Sequence, residues 1–60
     1  MLNRYLVHWK DPEKDPEIIW ADRVIQEGGK LMFHWTTPRG LHRKRVIDRE
    51  EVEKIELAPQ

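Results

Sequence analysis

Apolar and polar positions alternate through the run YLVHWK, with Tyr5, Val7 and Trp9 on one side and Leu6, His8 and Lys10 on the other. A period of two is the pattern of a half-buried strand. The Asp-Pro steps at 11–12 and 15–16 come next. Proline removes a backbone donor and disfavours helix at the residue before it, so DPEKDPE reads as a solvated turn. A second apolar run, EIIWADRVIQ, leads to Gly28-Gly29, flanked by the opposite charges of Glu27 and Lys30. This is a two-residue hairpin signal. Counting outward from it sets Gln26 against Leu31, Ile25 against Met32, Val24 against Phe33 and Arg23 against His34. Directly opposed residues share a face. Val24, Leu31, Phe33 and Trp35 therefore fall on one side of the hairpin, and Arg23, Ile25, Met32 and His34 on the other.

Pro38, Arg39 and Gly40 make a further turn, after which LHRKRVI has strand character. Asp48 with Glu51 forms a capping-box pattern, Ile47 and Val52 occupy staple positions around it, and Glu50 stands four residues before Lys54. A helical turn is expected from Asp48. Over 54–57 the pattern accommodates both a continued helix and a return to strand. These elements predict a mostly β fold: a small SH3-like barrel of four or five antiparallel strands with a C-terminal helical turn or short helix. The expected domain is 1–57, with 58–60 as a frayed tail.

Length sharpens the picture. A chain of 60 residues buries only about 60% of the surface its unfolded form exposes, so each large apolar side chain matters to folding. There is no cysteine, which excludes a disulfide framework or thiolate zinc site and suggests an intracellular, cytoplasmic protein. No apolar stretch approaches a membrane span of roughly 18–20 residues, and the first residues lack the apolar core of a signal peptide. No membrane association is expected.

Eleven basic residues balance eleven acidic ones, which argues against a general phosphate binder. Their distribution says more. Segments 11–17 and 48–56 are acidic, whereas 39–45, RGLHRKR, holds Arg39, Arg43, Lys44 and Arg45 with His42 and no acid. An anionic partner would meet the chain there. Cations fall on both faces of that strand, which suits an edge; the plainer readings are a solvated edge protected against aggregation, or one paired with the acidic terminal segment.

Trp9, Trp20 and Trp35 could stack on a cationic ligand, but in so small a core their first role is packing. Trp20, beside the acidic turn, is the one expected to be partly exposed and so a possible aromatic ligand contact. His8, His34 and His42 lack helical spacing and cysteine partners, so no metal site and no cofactor are expected. Serine and cysteine are both absent, and Thr36-Thr37 has no base nearby in sequence, so the chain does not read as an enzyme.

YLVHWK followed by Trp20 resembles the signature of chromodomains, which hold methyl-lysine peptides in an aromatic cage. Only Met1–Arg4 precede it here, where chromodomains have a further strand that contributes a cage residue. The order strand, acidic turn, the hairpin RVIQEGGKLMFHW, strand and terminal helical segment is also similar to the small archaeal DNA-binding chromatin proteins. That resemblance implies a hairpin face laid on the minor groove, with Ile25, Met32, His34, Lys44 and Val46 in contact and Ile25 or Met32 as an apolar wedge. The archaeal family is strongly basic; this chain is neutral.

The sequence thus supports a non-enzymatic binding module that meets nucleic acid through Arg23, Ile25, Met32, His34, Arg43, Lys44, Arg45 and Val46. The alternative is a protein- or peptide-interaction or self-associating module using Ile25 and Met32. A third reading is a natural or engineered barrel without a ligand.

Overall fold

In the computed structural model, which describes residues 2–58, the first alternating run forms β1 (Asn3–Trp9). β2 (Glu17–Ala21) and β3 (Arg23–Glu27) divide the second apolar run at Asp22. β4 (Lys30–Thr36) and β5 (His42–Asp48) follow, then a single 3-10 turn, Arg49–Glu51, and β6 (Val52–Ala58). The strands form two antiparallel three-stranded sheets, ordered β2-β1-β6 and β3-β4-β5.

Each turn has a local cause. The Glu13 amide donates to the Asp11 carboxylate at 2.9 Å and the Lys14 amide to the Asp11 carbonyl at 3.1 Å, an Asx-type reversal. Gly28 and Gly29 have φ of 56° and 75°, the left-handed pair that a tight hairpin requires. The register beyond them pairs Val24 with Phe33 and Ile25 with Met32, as read from the sequence. After β4, the Thr37 amide donates to the Leu41 carbonyl at 2.8 Å, and the Leu41 amide donates to the Thr37 hydroxyl at 3.1 Å.

The sheets share one core. Val7, Ile19, Ala21 and Val52 from the first meet Leu31, Phe33 and Ile47 from the second, and Tyr5, Trp9, Val24, Trp35 and Ile55 pack around them. The Tyr5 ring meets Phe33 edge-on at 5.7 Å, a geometry that favours the ring quadrupoles.

The chain crosses between sheets twice. At Asp22 the backbone amide donates to the His34 carbonyl at 2.7 Å, the carboxylate accepts from the Thr36 amide at 3.2 Å, and the carbonyl accepts from the Asn3 side chain at 3.2 Å. At the 3-10 turn the Arg49 amide donates to the Gly29 carbonyl at 2.9 Å and the Lys10 amide to the Glu51 carbonyl at 3.0 Å.

Four expectations change. There are six strands rather than four or five, because Asp22 breaks one run into two and the C-terminal segment is a strand. Among the described residues the two ladders do not join into a closed barrel. The expected helical turn is present as the 3-10 turn Arg49–Glu51, but Asp48 does not cap it through its side chain; the carboxylate binds Lys30 across the sheet instead. Ala58, placed by the sequence in a frayed tail, ends β6 opposite Arg4; Pro59 and Gln60 lie outside the described residues. No helix among them is long and apolar enough to cross a membrane.

Candidate binding face

The outward side of β3-β4-β5 is built in rows. Register places Ile25, Met32 and Val46 in one cross-strand line, and Arg23, His34 and Lys44 in the next. Ile25 and Met32 are half-buried, Val46 is 49% exposed, and Arg23 and Lys44 are exposed. Beyond the apolar row, Glu27, Lys30 and Asp48 align, with the Lys30 ammonium on the Asp48 carboxylate. That hydrogen bond and the Asp48 charge hold the Lys30 pKa above its ordinary value. An apolar stripe therefore lies between a net acidic row, in which Glu27 adds to the Lys30-Asp48 pair, and a row bearing Arg23 and Lys44.

His42 lies beyond that row. It pairs with Thr36, and its Nε2 lies 2.9 Å from Nδ1 of His34. Burial of the His34 ring, then the charges of His42, Arg23 and Lys44, keep the His34 pKa below the usual histidine value. The remote nitrogen of His34, Nε2, is buried without a hydrogen-bond partner. Donation from His34 Nδ1 to His42 Nε2 is the tautomer that leaves a bare lone pair there rather than a stranded N–H.

Six of the sequence-derived contact residues share this face: Arg23, Ile25, Met32, His34, Lys44 and Val46. Arg43 and Arg45 do not. They stand opposite Trp35 and Phe33 on the other side of β5, and Arg45 is engaged by Glu17 from the first sheet, through Nη1 to Oε2 and through Nη2 to Oε1 at 3.1 Å. Trp20 is half-exposed on the outer side of the first sheet, opposite Arg4, with Leu6 and Ile18 paired on the same side. It is separate from the hairpin face. Trp9 packs on the core and carries the Lys14 ammonium 4.2 Å from its ring centre.

Sequence reasoning left His42 out of the site. The signal was available only through the second turn, whose closing pair, Thr36 with His42, brings positions 34 and 42 diagonally together. Among the described residues no group of three His, Cys, Asp or Glu side chains is arranged to hold a metal ion. Compared with models of known protein families, with characterised proteins and with solved structures, the chain matches none.

Proposed function

We propose that the chain is a non-enzymatic binding module that contacts nucleic acid through the outer face of β3-β4-β5. The observation that carries this reading is the registered pair of rows: Arg23-His34-Lys44 beside Ile25-Met32-Val46. Arg23 and Lys44 can meet phosphates, and an adjoining apolar stripe suits exposed sugar and base surface. The fold reading that accompanies it is an open SH3-like or chromodomain-like arrangement. Its support is the chain path: at Asp22 the chain passes from β2 in one sheet directly to β3 in the other, and at Arg49–Glu51 it returns from β5 to β6 beside β1. Such a module belongs inside the cell, where its ligand is.

The test is titration with short duplex DNA at decreasing salt. Binding should tighten as salt falls, and each phosphate met by Arg23 or Lys44 adds about 0.9 to the slope of log K against log salt. Lys44→Glu should weaken all sequences alike; Met32→Ala should weaken binding with the slope retained. No salt-dependent binding at low ionic strength overturns the proposal. The zero net charge favours one second reading, a protein partner docked on Ile25, Met32 and Val46. In that case Met32→Ala abolishes association and Lys44→Glu hardly alters it.

A further inference from the structure

We propose that His34 and His42 form a two-imidazole site for a divalent transition-metal ion of square-planar or tetragonal preference, Cu(II) or Ni(II). The site is independent of the nucleic-acid reading. Its basis is distance. Imidazole nitrogens bind such ions at about 2.0–2.1 Å, so two at right angles stand about 2.9 Å apart and two at a tetrahedral angle about 3.3–3.4 Å apart. Nδ1 of His34 and Nε2 of His42 are 2.9 Å apart, with ring centres 5.1 Å apart and planes tilted by 39°. This is the right-angle separation, and equally the length of the hydrogen bond that the ion would replace.

The backbone holds the two residues side by side. His34 and His42 lie on adjacent strands, one register step apart on the same face, and the turn joining those strands is fixed by hydrogen bonds between Thr37, Gly40 and Leu41. A preset pair avoids much of the ordering cost of chelation. The proton now shared between the rings moves to the remote nitrogen of the ring that donates it. Each neutral imidazole then keeps one proton and offers one lone pair, so ligation neither takes up nor releases a proton.

The surroundings also define what else binds. With no third His, Cys, Asp or Glu ligand among the described residues, the remaining coordination positions go to water or to donor atoms of a bound molecule. Arg23 and Lys44 flank His34 in its row. Their charges oppose a bare dication and favour one that arrives with an anion. Ligation through His34 Nδ1 puts the ring proton on Nε2, which is buried with no hydrogen-bond partner; that stranded N–H places the site at the weak end of protein chelates.

The experiment is titration of the full chain with copper(II) sulfate in a non-coordinating buffer, read by electron paramagnetic resonance and by NMR line broadening. The expected result is one equivalent bound through two nitrogens, with broadening centred on 34, 36, 42 and 44. His34→Asn and His42→Asn should each lose the two-nitrogen signal, whereas His8→Asn, on the other sheet, should retain it. Copper should raise the Tm of the wild-type chain and not of the first two variants. Broadening centred elsewhere in the wild-type chain, or a two-nitrogen signal that survives both substitutions, overturns the proposal. The wild-type reading decides the matter even if a variant fails to fold.

Discussion

Glu17 and Arg45 join the two sheets: the guanidinium of Arg45, on the edge strand of one, donates to both carboxylate oxygens of Glu17, on the edge strand of the other. The Arg45 hydrogen bond, opposed by burial and reinforced by the charges of Arg45 and Lys14, keeps the Glu17 pKa below its ordinary 4.5. The folded form therefore binds fewer protons than the unfolded chain as pH passes below that value. The stabilisation is full above the unfolded pKa and is lost as pH falls through the depressed folded one. Both side chains are more than a third exposed, 38% and 44%, so solvent screening limits the pair to about 0.2–1 kcal/mol. Urea unfolding of wild type and Glu17→Gln at neutral pH and near pH 3 checks this. The difference between them should be present at neutral pH and vanish in acid, and a pH-independent difference would contradict the ion-pair account.

Phe33 is fully buried and meets Tyr5 edge-on. Phe33→Ala should cost about 3–5 kcal/mol, comparable to the whole stability of a domain this small. Circular dichroism should show an unfolded chain. Phe33→Leu, which keeps most of the volume, should remain folded with a lowered urea midpoint.

Asp48→Ala separates two roles for one carboxylate. Loss of a helix cap costs about 0.5–2 kcal/mol irrespective of Lys30, whereas the effect of losing an exposed ion pair is weakened by salt and disappears once Lys30 is removed. The structure shows the ion pair and no side-chain cap. A double-mutant cycle with Lys30→Ala should therefore recover a coupling that salt weakens, and purely additive effects count against it.

At Gly29 an added Cβ meets nothing within 4 Å, yet φ is +75°. The cost of Gly29→Ala is thus one of backbone conformation alone, about 1–2 kcal/mol. Chemical synthesis with D-alanine reverses the sign: that residue is at ease with positive φ and restricts the unfolded chain, so it should stabilise by about 0.4–1 kcal/mol. Thermal melts of the two peptides measure the contrast.

What the sequence disclosed depended on how local the controlling physics was. Gly28-Gly29 dictated the whole β3-β4 register because a two-residue turn leaves no slack, and with it the Ile25-Met32 and Arg23-His34 pairs; Val46 and Lys44 join those rows only through the β4-β5 pairing. The segment 54–57 was undecidable because Val52 and Ile55 stand at helical spacing among helix-forming residues, while Ile55 and Leu57 alternate as in a strand. Pairing with β1, at the far end of the chain, settled it. Asp48 was misjudged for a related reason: its carboxylate could turn to its own backbone or to Lys30, and only the tertiary fold offers the second. The exposure of Trp20 followed from its place beside the acidic turn, but its companions Leu6 and Ile18 required the β1-β2 pairing. His34 and His42 met through the length of a turn that composition alone does not measure.

The meeting of β1 and β6 carries a kinetic consequence. β3, β4 and β5 are joined by short turns and can zip locally, whereas the first sheet is complete only when Arg4 comes opposite Ala58, from opposite ends of the described chain. Closing so long a loop costs entropy before its contacts repay it. Folding should therefore begin in the meander that bears the binding face. Conservative substitutions at Val24 and Phe33 are expected to slow refolding, and Ile55→Val chiefly to speed unfolding, when chevron plots are compared. The face would then take shape while the ends of the chain are still apart, and the strand that locks the molecule shut would act as the brake on its unfolding.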